Sequence, residues 1–138
     1  MRVVLDTNVL LSGFFFGGIP GQILEAWRSG LLVPILSAPI LAEYRESARE
    51  LEAKYGAADF EAFVALLLVH SDVVDAPARL PAQVCSDPHD DKFLACALAS
   101  ATKVVITGDH ALLAVNGWNG IEVVKPRTFV DRYLSDTT

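Results

Sequence analysis

The sequence predicts an α/β fold in which helices cover both faces of a parallel sheet. Short β-branched runs alternate with longer helical patterns, the order that parallel strands joined by crossover helices produce. Two of the runs, Val3-Val4-Leu5-Asp6 and Val105-Ile106-Thr107-Gly108-Asp109, end in carboxylates. A length of 138 residues fits one domain over 1–138, and a 52% apolar composition is ample for its core.

The elements follow in order. Arg2–Asp6 reads as a strand and the glycine- and phenylalanine-rich stretch Ser12–Pro20 as a loop. Gly21–Ser29 is a short helix closed by Gly30, and Leu32–Leu36 a second strand or an extended piece broken at Pro34. Ser37 can cap a helix from about Pro39 to Tyr55, with Gly56 as its stop. Phe60, Phe63, Val64, Leu67 and Leu68 fall on one helical face, which suits either the core or a dimer interface. Asp72–Asp75 is a short strand candidate, followed by a loop with Pro77 and Pro81. Pro88–Thr102 reads as a helix rich in small residues, Val104–Thr107 as a strand and Asp109–Val115 as a short helix. Ile121–Val124 is the last strand and Thr128–Leu134 a terminal helix.

Composition narrows the function classes. Cys85 and Cys96 make no disulfide framework, and with His70, His89 and His110 scattered they lack the spacing of a zinc site. The uncharged run from Thr7 to Leu24 contains Asn8, Ser12, four glycines, Pro20 and Gln22, poor material for a membrane helix. The expectation is a cytoplasmic protein with no membrane partner. A net charge of −6 lacks the broad basic footprint of a nucleic-acid binder.

The pattern of acids changes what that charge means. Asp6 ends the first strand, Glu43 sits in Ile40-Leu41-Ala42-Glu43-Tyr44, Asp91 lies in the first turn of a helix and Asp109 follows a strand. Strands that run parallel bring Asp6 and Asp109 to one edge, where open α/β sheets bind ligands. Carboxylates crowded in a cleft repel and take up protons, and a hard dication relieves them. Each also has a local explanation: Asp6 as a turn cap, Glu43 as a solvated helix acid, Asp91 and Asp90 as complements to a helix N-terminus, and Asp109 as a cap. Asp87, followed by Pro88, reads better as an N-cap than as a ligand. Setting aside Asp6, Glu43, Asp87, Asp90, Asp91 and Asp109 leaves eleven acids against eleven bases, so the acidity is concentrated in one place.

Four strings carry a resemblance: Arg2-Val3-Val4-Leu5-Asp6-Thr7-Asn8-Val9-Leu10, Ser37-Ala38-Pro39-Ile40-Leu41-Ala42-Glu43, Asp87-Pro88-His89-Asp90-Asp91-Lys92-Phe93-Leu94-Ala95 and Ile106-Thr107-Gly108-Asp109. In this order, and over Arg2 to about Leu134, the chain resembles a PIN domain, specifically the stand-alone bacterial group regarded as toxins of type II toxin–antitoxin pairs. The resemblance implies a three-layer α/β/α fold with a mostly parallel central sheet, and a Mg²⁺- or Mn²⁺-dependent endoribonuclease. It puts the catalytic and metal-binding acids on Asp6, Glu43, Asp91 and Asp109, with Asp87 and Asp90 as additional acids. Thr7, Asn8 and Thr107 would position water or the metal shell. An RNA substrate, a cognate antitoxin and a homodimer are the implied partners.

Two other functions compete. A haloacid-dehalogenase-type phosphatase also has an Asp after its first strand, but that chemistry calls for a second acid two residues on, where this chain has Asn8, and it gives Glu43 no role. A binding module that kept the fold without turnover is the third reading, against which the full set of acids counts.

Overall fold

The computed structural model describes residues 1–56 and 59–134; residues 57, 58 and 135–138 of the expected 1–138 domain lie outside it. The strands β1 (Arg2–Leu5), β2 (Val33–Leu36), β3 (Asp72–Val73), β4 (Val104–Ile106) and β5 (Glu122–Val124) form one sheet in the order β3-β2-β1-β4-β5. Every pairing is parallel: Arg2 lies opposite Val33, Leu5 opposite Ile106, Ile35 opposite Asp72 and Val105 opposite Val123. The central strand β1 buries Val3, Val4 and Leu5 completely or nearly so. That continuous apolar run is what a parallel strand covered on both faces requires.

The helices are α1 (Thr7–Phe15), α2 (Gly18–Arg28), α3 (Ala38–Tyr55), α4 (Phe60–Val69), α5 (Asp91–Ala99), α6 (His110–Leu113) and α7 (Pro126–Phe129). The chain moves outward from β1 through β2 to β3, then returns to β4 on the other side of β1. Right-handed crossovers therefore put α1–α4 on one face and α5 on the opposite one. The packing agrees: α1 contacts α2 and α3, whereas α5 lies on β1, β2 and β4.

Several elements depart from the sequence expectation. Ser12–Pro20 is not a loop: α1 runs through Phe15 and α2 already begins at Gly18. Gly13 does not break α1 but permits a close crossing, since a Cβ there would stand 2.8 Å from the Leu24 side chain. The phenylalanines that resembled loop residues pack: Phe14 meets Phe60 at 5.3 Å and Phe63 at 4.7 Å between ring centroids. Pro34 stays inside β2, opposite Val3. The helix expected over Pro88–Thr102 is a 3₁₀ turn at Pro88–Asp90 followed by α5, which ends at Ala99. The terminal helix is a short α7 continued by a π turn over Val130–Leu134.

On α4, Phe60, Val64 and Leu67 are buried, while Leu66, Leu68 and Val69 are exposed. Among the described residues no single helix is long and apolar enough to cross a membrane; the apolar pair α1 and α2 is bent by 91° and buries Leu10, Leu11, Ile23 and Leu24 in the core.

Candidate active site

The pairing of β1 with β4 builds the centre of the site. The Asp6 backbone amide donates to the Ile106 carbonyl at 3.0 Å, so Asp6 and Thr107 leave the same carboxyl edge of the sheet side by side. Thr107 is fully buried, and its hydroxyl donates to Asp6 Oδ2 at 2.5 Å. The Thr107 hydroxyl oxygen in turn accepts the Asp109 amide at 2.9 Å, which holds the Gly108 turn against the strand end. Asp109 Oδ2 accepts the Leu112 amide at 3.2 Å, so Asp109 does cap α6, with one of its two oxygens. Asp6 starts α1 through its backbone carbonyl, and its side chain makes no capping bond.

The two neighbouring acids Asp90 and Asp91 face different surroundings. Asp91 is buried, and its carboxylate accepts the backbone amides of Val84 at 2.9 Å and Cys85 at 2.8 Å. Burial pulls its pKa upward, but these two amides outweigh that and hold the carboxyl below its ordinary range. Both oxygens of Asp91 therefore serve to fasten the loop before α5. Asp90 belongs to the 3₁₀ turn, and its carboxyl lies within hydrogen-bonding reach of Asp109 and in the field of Asp6. Asp90 is thus the one of the two whose carboxyl feels Asp109 and Asp6, while both oxygens of Asp91 accept backbone amides. Asp87 is exposed and caps the 3₁₀ turn, accepting the His89 amide at 3.0 Å.

Glu43 stands at the margin of this group, on the second turn of α3. Its Oε2 accepts the Thr7 hydroxyl and its Oε1 accepts the Lys92 ammonium. The next residue, Tyr44, anchors α3 to β1 through a hydroxyl that donates to the Leu5 carbonyl at 2.6 Å. Thr7 is buried and spent on Glu43, while Asn8 is exposed on the first turn of α1. Lys92 went unassigned as a partner of Glu43 because 49 residues separate the two.

Charge crowding is the dominant property of the site. Burial first, and then the charges of Glu43 and Asp109, push the Asp6 carboxyl up to about 6 despite the bonds from Thr107 and the Thr7 backbone. Burial and the Asp109 carboxyl beside it push Asp90 up to about 7. No ion pair neutralises Asp6, Asp90 or Asp109 among the described residues, whereas Glu43 has Lys92. Among the described residues no three His, Cys, Asp or Glu side chains come together closely enough to hold a metal ion as they stand. The crowding of unpaired carboxylates is the property an ion such as Mg²⁺ would relieve, since it keeps several waters and takes only a few carboxylates from the protein.

A PIN-domain family model matches residues 2–111, the stretch that carries every acid of this site. The chain belongs to the PIN-domain family. PIN domains are generally nucleases that use divalent metals such as Mg²⁺, and they act on nucleic acids. The five-stranded parallel sheet flanked by helices is the PIN-like architecture. No curated protein sequence shows significant similarity to the chain. This PIN domain also has a groove of about 940 Å³ away from the acids, lined by Phe14, Trp27, Phe63 and Leu66 among others.

Proposed function

We propose that this PIN domain is an endoribonuclease dependent on Mg²⁺ or Mn²⁺, that Asp6, Asp90 and Asp109 hold the metal, and that the protein is the toxin of a type II toxin–antitoxin pair. The observation that carries the metal reading is the crowding of acids at the carboxyl edge of the sheet, where Thr107 ties Asp6 to the Asp109 backbone and Asp90 lies within reach of Asp109, none of the three with a cationic partner among the described residues. A dication between them would orient a water toward the scissile phosphate and offset the charge of the transition state.

The chain's own residues supply the rest. Thr107 holds one oxygen of Asp6, and the Thr7 backbone amide adds a second bond to the same carboxyl. The Thr107 contact with the Asp109 amide keeps the third acid in register with the first. Asp91 fastens the Val84–Cys85 segment and so places the turn from which Asp90 projects. Asn8, exposed next to Asp6, is placed to donate or accept at the substrate side. Toxin identity draws on the sequence resemblance. The exposed Leu66 and Val69 and the neighbouring groove offer surface to an antitoxin or a second copy in the cytoplasm.

The test is cleavage of a fluorogenic single-stranded RNA with and without Mn²⁺. The expected result is metal-dependent cutting by the parent, strong loss in Asp6→Asn and Asp90→Asn, and no competing turnover of a small phosphomonoester. Parental rates in both variants would refute the assignment, and faster phosphomonoester hydrolysis would favour the phosphatase. Induced expression should arrest growth, and the Asp6→Asn variant should not.

A further inference from the structure

We propose that Lys125 and Arg127, at the carboxyl end of β5, form a phosphate-binding flank of the acidic site and hold the backbone of a single-stranded RNA on one side of the bond to be cut. The inference rests on the nuclease reading above and extends it to where the substrate strand lies.

The sheet order places the two cations. The Thr107 amide donates to the Val124 carbonyl at 2.9 Å, so the chain leaves β5 beside the residue that holds Asp6. Lys125 is the next residue, and Arg127 sits in the first turn of α7. The segment then turns back. The Tyr133 hydroxyl donates to Glu122 at 2.5 Å, and Arg132 pairs with the same acid, at the opposite end of β5. This fastening keeps the start of α7 at the carboxyl edge. The ends of β1 and β5 are two strand spacings apart, about 10 Å. About three stacked nucleotides span that distance at about 3.4 Å each.

Charge singles out this flank. Arg2, Arg28, Arg45, Lys92 and Arg132 each pair with an acid. Lys125 and Arg127 are both exposed and make no ion pair among the described residues. From His110 to Val130 the sequence holds a single acid, Glu122, the one already paired at the far end of β5; Asp131 follows a turn after Arg127. On the β3 side, by contrast, the carboxyl edge leads to the exposed Asp75. Acids at the centre repel a polyanion, so a strand that enters there needs cations immediately beside them. Two other exposed cations lie away from this edge: Lys103 precedes β4 at the amino edge, and Arg49 is about 16 Å along α3 from its start.

The experiment is fluorescence anisotropy with a labelled single-stranded RNA of about 12 nucleotides, in chelator, at about 50 and about 200 mM salt. Each phosphate contact adds about 0.7 to the salt slope, so over that range the parent is expected to lose about sevenfold more affinity than Lys125→Ala/Arg127→Ala. The control Arg49→Ala/Lys103→Ala removes the same charge elsewhere and is expected to match the parent. With Mn²⁺, Lys125→Ala/Arg127→Ala is expected to cut with a raised KM and a parental kcat. A parental salt dependence in that variant, folded by circular dichroism, would overturn the inference, and so would an equal change in the control. A polyglutamate peptide that competes as well as RNA of equal charge would overturn it in favour of an acidic protein. If the alanine variant fails to fold, Lys125→Gln/Arg127→Gln decides by the same criteria. A parent that neither binds nor cuts RNA would instead remove the nuclease reading itself and the inference with it.

Discussion

Replacing Asp6 by Asn should make the metal-free protein more stable. Asp6 is only 5% exposed, and its carboxyl is raised from 3.8 to about 6. At about 1.36 kcal/mol per pKa unit, keeping it ionised at pH 8 costs the fold about 3 kcal/mol. Asn keeps an oxygen for the Thr107 hydroxyl and gains an amide that can donate to Asp90 or Asp109, so the variant should recover between about half and all of that cost. For a chain of this size 1 kcal/mol moves Tm by about 3–4 °C, which gives a rise of about 5–10 °C. The pH dependence follows from the sign of the shift. With a folded pKa above the unfolded one, the stability contributed by the Asp6 proton is fully present below 3.8 and lost as pH rises through about 6. At pH 5 the parent recovers about 1.4 kcal/mol by taking up a proton on folding, so the gap to the variant narrows by about half. Millimolar Mn²⁺ should reverse the order, since a ligand at 100 times its Kd adds about 2.7 kcal/mol to the parent alone. Thermal melts by circular dichroism at pH 8 and pH 5, with chelator and with Mn²⁺, measure all three effects. A variant that melts at or below the parent at pH 8 without metal, or a gap that does not narrow at pH 5, would refute the buried-charge reasoning.

Other perturbations probe the packing around the site. Asp91→Ala leaves the Val84 and Cys85 amides without an acceptor and should lower stability by about 2–4 kcal/mol, read as a drop in urea midpoint, with metal present or absent. Gly13→Ala drives a methyl to within 2.8 Å of Leu24 and should cost about 1–3 kcal/mol at the α1–α2 crossing; an unchanged melt would show that the crossing can relax. Burial pushes the Cys96 thiol up to about 11 despite Ser37 beside it, and burial with Asp91 alongside pushes Cys85 higher still. Neither thiol should react with a disulfide reagent at pH 8 until the chain is denatured, when both should; fast modification of the native protein would contradict their placement.

Much of the sheet was readable because its strands are short β-branched runs followed by polar turns. The parallel register then dictated that Leu5 and Ile106 stand side by side, which is why Asp6 and Thr107 meet. The choice between Asp90 and Asp91 was harder. An apolar run beginning at Phe93 argues that the acid before it is buried, and Asp91 is buried, with the Val84 and Cys85 amides as its partners. Sequence shows that two adjacent acids must point in different directions but not which backbone groups each will meet. Gly13 carried the opposite error: a glycine in a phenylalanine-rich stretch looks like a loop unless one knows that Leu24 lies across from it. The Lys92–Glu43 pair joins two helices, and no local pattern announces it.

The sheet order has a consequence for synthesis on the ribosome. Asp6 is made at the start of the chain, but its neighbour Thr107, just past β4, lies 101 residues further on. A nascent chain ending before Val104 carries Asp6, Glu43 and Asp90 without the strand that aligns them or the Asp109 that completes the pocket. An unfinished copy therefore lacks the assembled group of acids at the sheet edge until β4 and Asp109 have been added.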